Sequence, residues 1–294
     1  RISVNPSLSI IYKLNYAWRF TAHASYKERY GEMTDLYDRP YQTDYRNSVW
    51  NCGILPVYRQ QLYSVYGEYK NTAREFFATV NLTHNREWYN RIYEQRIENG
   101  QVQRVSLPLS NHGSGYTVKS TLSKGFYDLG LKTSFLALLN ISKAEQSSGG
   151  QRLPYQYRLM RLEPKVIWTP NRHWETSYQT DIRYGGNKIG ERTRLAPLWN
   201  VTQQVQLSYI FSPIEASLSV DHYHNDVNED QSVNAVFADF SVLWKSRRWQ
   251  ITATATNLFD KRTYAYTRYA SLESYTSWVR IRPREFLVAI RYRL

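Results

Sequence analysis

Residues 285–294 read Glu285-Phe-Leu-Val-Ala-Ile-Arg-Tyr-Arg-Leu294. Alternate positions hold Phe286, Val288, Ile290, Tyr292 and Leu294; between them lie Leu287, Ala289, Arg291 and Arg293. A period of two sets these on opposite faces of a strand, one wholly apolar and the other ending in two cations. The same period runs back through the chain. Trp249, Ile251, Ala253 and Ala255 alternate with Gln250, Thr252, Thr254 and Thr256. Trp199, Val201, Val205, Leu207, Tyr209 and Phe211 oppose Asn200, Thr202, Gln204, Gln206 and Ser208, and Trp18, Phe20, Ala22 and Ala24 oppose Arg19, Thr21, His23 and Ser25. No segment shows a convincing helical period.

The pattern predicts strands over 7–14, 17–29, 58–70, 74–89, 114–125, 129–143, 153–168, 173–184, 196–211, 214–224, 232–245, 248–259 and 275–294. Short connections such as Asn71-Thr-Ala73 and Ser212-Pro213 alternate with long ones, roughly 30–57, 90–113, 144–152, 185–195, 225–231 and 260–274. Several long ones are rich in Gly, Asn and Gln, and the segment 93–105 reads as a small hairpin on the Asn99-Gly100 turn. Alternation gathers the turns at one end and the loops at the other, as in up-and-down outer-membrane barrels. No linker or composition break divides the chain, so residues 1–294 are expected to form a single domain.

Composition narrows the class. The 294 residues hold 26 Tyr and 9 Trp, with 42% hydrophobic residues and a net charge of +13. No apolar run is long enough for a membrane helix. The cations are interspersed with acids rather than blocked, which argues against a nucleic-acid partner. Cys52 stands alone and cannot form an internal disulfide. The chain opens without Met or a signal peptide, and an odd strand count leaves the first strand without the upward partner that should precede it. Both point to the C-terminal portion of a larger barrel.

The apolar face could pack inward in a soluble sandwich or face lipid in a membrane barrel. Strands of 12–16 residues are long enough to span a bilayer. Trp18, Trp168, Trp174, Trp199, Trp244 and Trp249 fall near strand ends on the apolar face, where an aromatic belt would sit. Arg161, Glu163 and Lys165 fall mid-strand on the polar face, which an apolar core would not tolerate. The expected fold is all-β: an antiparallel up-and-down transmembrane β-barrel, about thirteen strands here, with Phe286, Val288, Ile290, Tyr292 and Leu294 facing lipid and Arg291 and Arg293 facing the lumen.

The segment Ala255–Tyr264, "ATNLFDKRTY", resembles the Asn-Leu-Phe-Asp-Lys stretch on the penultimate strand of TonB-dependent outer-membrane receptors. "RPREFLVAIRYRL" resembles their closing strand, and residues 45–71 resemble a loop-and-strand segment of the related barrel family common in Bacteroidota. Leu294 departs from the more usual terminal aromatic. The resemblance implies a plugged barrel of about 22 strands, with the plug and TonB box outside this chain. It further implies import of a large nutrient (siderophore, glycan, peptide or cofactor) across the Gram-negative outer membrane. The implied partners are outer-membrane lipid and lipopolysaccharide, TonB, and a surface lipoprotein. A scaffold or adhesin barrel and a passive porin are the competing readings.

Candidate binding residues are the loop aromatics and neighbouring cations: Tyr37, Tyr41, Tyr45 and Trp50; Trp88 and Tyr93; Arg262, Tyr264, Tyr266, Arg268 and Tyr269. Aromatic faces beside guanidinium groups suit sugar rings, peptides and anionic chelates. His222 and His224 share a face at a spacing that can hold a metal, but fall where an interface accepts imidazole. Asp221 and Asp239 lie on the polar face, and no Ser-His-Asp set is assembled by spacing. No enzyme activity, metal or cofactor is expected. The triplets "NLT", "NIS" and "NVT" fall inside strands and read as ordinary strand residues.

Overall fold

The computed structural model describes residues 3–98, 100–190, 193–194, 197–228, 230–269 and 274–293. Thirteen long strands form one continuous antiparallel wall: β1 (Ser7–Lys13), β2 (Trp18–Tyr30), β3 (Val57–Asn71), β4 (Phe76–Tyr89), β5 (Asn111–Phe126), β6 (Leu131–Ser148), β7 (Gln151–Asn171), β8 (Trp174–Ile189), β9 (Leu198–Phe211), β10 (Ile214–Asp226), β11 (Ser232–Lys245), β12 (Trp249–Thr256) and β13 (Glu285–Tyr292). Each pairs with the next in chain order. Among the described residues β1 and β13 are paired on one side only, and both are exposed along their whole length.

Register converts the sequence period into two faces. Tyr184 pairs with Trp199 and Trp174 with Tyr209, Trp249 pairs with Tyr292, and Trp18 pairs with Tyr69. All belong to the apolar face, which no second sheet covers among the described residues. Phe286, Val288 and Ile290 remain 73%, 64% and 63% exposed, which no soluble sandwich core would permit. The face is bounded by rings. At the turn end Trp18 meets Tyr69 at 4.8 Å, Trp174 meets Tyr209 at 4.7 Å and Trp249 meets Tyr292 at 4.7 Å; at the loop end Tyr184 meets Trp199 at 4.6 Å. Ten residues separate Trp174 from Tyr184 along β8. At about 3.4 Å per residue and a tilt of about 40°, the band is about 26 Å tall.

Three expectations about boundaries need correction. The closing strand does not run from 275: Ser274–Arg280 folds back on Thr263–Tyr269 as a separate hairpin, and the stave begins at Glu285. The break spans 281–284 and contains Pro283, which lacks the N–H a ladder needs. Correspondingly β12 ends at Thr256 rather than at 259. The Gly-rich stretch 144–152 is not a long loop. β6 and β7 continue through it to a two-residue turn, where Gly149 (φ 58°) and Gly150 (φ 78°) supply the positive angles a tight hairpin requires. The small hairpin is present as Ile92–Glu98 paired with Gln101–Leu107, although Asn99 lies outside the described residues. Leu294 lies outside them as well.

The best-enclosed side chains sit at the loop end. Ile92, Val105, Ser106 and Ser147 are fully buried where the 92–107 hairpin packs against β6 and the 31–56 loop. Strand Asn47–Trp50 of that loop runs parallel to Gln101–Leu107 and joins the two loops into one platform.

Candidate functional site

The Asn-Leu-Phe-Asp motif is the knot that carries the last long loop. Asn257 sits in the left-handed region at φ 51°, which Asn tolerates better than most residues. Its N–H donates to Asp239 Oδ1 at 2.8 Å, and its amide nitrogen donates to the carbonyls of Lys261 and Arg282, each at 2.9 Å. Its amide oxygen accepts the Lys261 N–H at 3.0 Å. Asp260 accepts the Arg284 N–H at 3.0 Å and holds Arg262 at 2.8 Å. Both ends of loop 257–284 are thereby fastened to each other and to β11.

From this base the 263–280 hairpin leans over the polar face. Tyr264 receives a hydrogen bond from Asn225 Nδ2 at 3.0 Å and meets the Tyr223 ring edge-on at 5.3 Å. Tyr223 in turn meets Phe237 at 5.7 Å. Ala265 is wholly buried and Thr267 nearly so, which shows how closely the hairpin is seated.

Beneath it lies a cavity of about 590 Å³ between the hairpin and staves β7 to β10. Its wall is aromatic (Tyr157, Tyr264, Tyr266), and its other side carries Arg161, Asp181, Arg183, Asn200, Thr202 and Asn225. Arg161 clasps Asp181 with two hydrogen bonds of 3.1 and 2.9 Å and also pairs with Glu163 at 2.5 Å. Arg183 adds a bond of 2.7 Å to the same Asp181 carboxylate. Two cations and two carboxylates balance, yet each guanidinium has five N–H donors and these acids do not use them all. The Arg183 side chain is 52% exposed and presents its remaining donors to the cavity. Asn200 Oδ1 is an enclosed acceptor without a donor among the described residues. Aromatic planes, spare N–H donors and amide groups together suit a ligand carrying rings, hydroxyls and carboxylates.

The loop platform gathers a second group of aromatics. Tyr93 has two cations against its ring, with Arg104 3.6 Å and Arg91 4.8 Å from its centre. Arg91 also bridges to Asp35 of the neighbouring loop at 2.8 Å. Burial pushes the Asp35 carboxyl up, but hydrogen bonds from Arg91 and the Glu32 N–H, with the Arg91 charge, hold it below its usual value. Glu94 is held down by Arg96 and by Ser147, which donates at 2.8 Å and ties the platform to β6. Trp50 donates to Asp38 at 3.1 Å, Tyr37 meets Tyr41 at 6.1 Å, and Tyr45 stands 79% exposed beside Arg46.

The structure therefore divides the sequence candidates. Tyr264 and Tyr266 line the cavity; Tyr37, Tyr41, Tyr45, Trp50 and Tyr93 belong to the platform; Arg262 is engaged by Asp260 at the knot. Trp88 pairs with Arg59 and shares the phase of Val80 and Leu82, which sets it on the apolar face rather than toward either group. The side chains of Arg268 and Tyr269 lie outside the described residues. The cavity's charged members, Asp181 and Arg183 above all, were not among the candidates; their signal was an acid and a base two apart on the polar face of a neighbouring stave. His222 is bonded to Gln203 and His224 to Asn234, and the described residues contain no group of three metal-ligating side chains.

No protein-family model matches the chain, and neither does any curated protein. Solved structures match in fold. The ferric yersiniabactin uptake receptor FyuA from Yersinia pestis aligns with 99% of this chain and 50% of its own, at 7% identity and a TM-score of 0.52. The F3-3 variant of the FrpB iron transporter from Neisseria meningitidis aligns over 92% and 45%, at 10% identity and a TM-score of 0.53. The F5-1 variant in its apoprotein form aligns over 92% and 44%, at 9% identity and 0.52. The fold is that of an outer-membrane β-barrel. The chain spans half or somewhat less of the length of these three structures. In an outer-membrane barrel the polar face borders the lumen, so the 263–280 hairpin and its cavity lie on the lumenal side of the wall.

Proposed function

We propose that the chain is the wall of a TonB-dependent outer-membrane receptor, with the apolar face in contact with lipid and the lumenal cavity taking part in nutrient capture. The observation that carries this reading is the hairpin folded over the polar face, with Tyr264 and Tyr266 above the Arg161–Asp181–Arg183 cluster. The Asn-Leu-Phe-Asp motif and the fold shared with FyuA and FrpB support it. A hairpin across the lumenal side narrows the passage, which favours energised import over a passive pore. The chemistry of the cavity is binding rather than bond-breaking, and its spare guanidinium donors favour a ligand bearing carboxylates or vicinal hydroxyls. TonB, a surface lipoprotein, outer-membrane lipid and lipopolysaccharide are the partners this reading entails.

The test is accumulation of ferric chelates and oligosaccharides by cells expressing the full-length protein, with and without TonB. Accumulation that needs both the protein and TonB, and falls at least tenfold in the Tyr264→Ala/Tyr266→Ala variant, supports the proposal. Liposome swelling by small sugars without TonB, unchanged by the variant, would favour a passive pore instead.

A further inference from the structure

The outward, apolar face carries a polar pair well inside the band. Gln203 on β9 lies across from His222 on β10, and the two share the phase of Val201, Val205 and Val220. Gln203 is four residues from Trp199 and six from Tyr209, the rings that bound its stave. At about 3.4 Å per residue and a tilt of about 40°, it lies about 10 Å from the loop-end ring and about 16 Å from the turn-end ring. From the sequence His222 was expected at the interface; the register sets it deeper.

His222 Nδ1 and Gln203 Oε1 are 3.2 Å apart. An amide oxygen only accepts, so Nδ1 carries the proton and Nε2 of the neutral ring is an acceptor. Among the described residues that acceptor has no donor, and the two N–H groups of the Gln203 amide have no acceptor. Thr180, across from Gln203 on β8, adds a buried hydroxyl without a partner. His224, one row nearer the loops, differs: Asn234 and Asp226 engage its two nitrogens at 2.8 and 3.3 Å. At the rim water completes such contacts, whereas inside the hydrocarbon only protein can. The neighbours permit close approach. Val205, Val220 and Ala238 bound the pair on the turn side and Val236 adjoins His222, all shorter than Gln203 and His222 themselves.

We propose that this face is the contact between two copies of the chain, with Gln203 of each donating to His222 of the other. Symmetry selects the occupant. Copies inserted in one membrane share their orientation, so a twofold axis relating them runs along the membrane normal. Such an axis preserves depth and exchanges left for right. It therefore brings Gln203 of one copy opposite His222 of the second, twice over, donor against acceptor. The patch is complementary to itself. The inference rests on the membrane reading given above, because only lipid leaves these groups without partners.

The experiment places the full-length protein, with one fluorophore per copy, in phosphatidylcholine vesicles at high dilution and counts bleaching steps per spot. The parent should bleach in two steps. Gln203→Leu and His222→Leu keep the face apolar and should insert as the parent does, yet each removes both bonds. Either variant alone should bleach mostly in one step, its association constant lowered about tenfold, as two hydrogen bonds in a bilayer imply. Mixing the two variants, each with its own dye, tests the symmetry. One bond survives only between unlike copies, so unlike pairs should exceed like pairs about threefold. Val205→Trp leaves the polar pair intact and should block approach, which gives the same test by a second route. Ser120→Leu removes a hydroxyl from the outward face of β5 and should pair as the parent does. Pairing unchanged in the leucine variants, or unlike pairs no commoner than like ones, would overturn the proposal. A parent that inserts but bleaches in one step overturns this inference alone, whereas a parent that fails to insert overturns the membrane reading and this inference with it.

Discussion

Asp239 on β11 accepts the backbone N–H of Asn257 at 2.8 Å, and through that bond the wall of the barrel holds the base of its last long loop. The Asn257 side chain is buried and satisfies three further backbone groups of the loop. Asn257→Ala leaves these groups unpaired and should destabilise the loop by about 3 kcal/mol. Asn257→Gly keeps the left-handed angle without the side-chain bonds and should be less damaging than Ala. Limited proteolysis within 257–284 reads the effect, and equal resistance of both variants and the parent would remove the knot from the account.

Arg91 connects the two loops of the platform through Asp35 and Tyr93. Arg91→Met should retain the packing but lose the ion pair, raising hydrogen exchange over 32–50 at least tenfold while the staves stay protected. Unchanged exchange would mean that the parallel pairing of 47–50 with 101–107 suffices alone.

The same platform should depend on acid. Asp35 and Glu94 both have carboxyls held below their usual values in the folded protein. Their stabilisation is complete above the ordinary carboxylate range and is lost as pH falls through the lowered values. Loop exchange should therefore rise below about pH 4 and stay flat from there to neutrality. A rise between pH 6 and 7 would point to histidine instead.

Much of the wall was legible because outward apolar and inward polar residues alternate, and a period of two survives any ignorance of register. The cavity was not. β7 and β8 meet at the short 172–173 turn, where Asn171 pairs with Trp174, yet above an irregularity between Trp168 and Asn171 the register shifts by one residue. Without that shift Arg161 would oppose Tyr184, a residue of the other face; with it Arg161 lies across from Arg183, and both reach Asp181. Pro170, which lacks the N–H a ladder needs, marks the place of the irregularity, but not the size or sense of the shift. Trp88, by contrast, was legible: it continues the even phase of Val80 and Leu82, and only its closeness in sequence to Tyr89 and Tyr93 associates it with the loops.

A charge on the outward face should be costly where one on the inward face is not. Leu82→Arg, near the middle of the apolar band, should destabilise the folded barrel by about 2–4 kcal/mol, and Thr83→Arg by far less. Urea unfolding in lipid vesicles measures both, and equal costs would contradict the assignment of faces.

The most direct measurement is nitroxide accessibility along β4, with Cys52 replaced and single labels placed in turn at Val80, Asn81, Leu82 and Thr83 in vesicle-reconstituted protein. The account predicts high oxygen collision at Val80 and Leu82, and high collision with a water-soluble nickel chelate at Asn81 and Thr83, the two profiles out of phase with a period of two. Labels at Val80 and Leu82 that are immobile and shielded from both reagents would mean that protein covers the apolar face, and would contradict it.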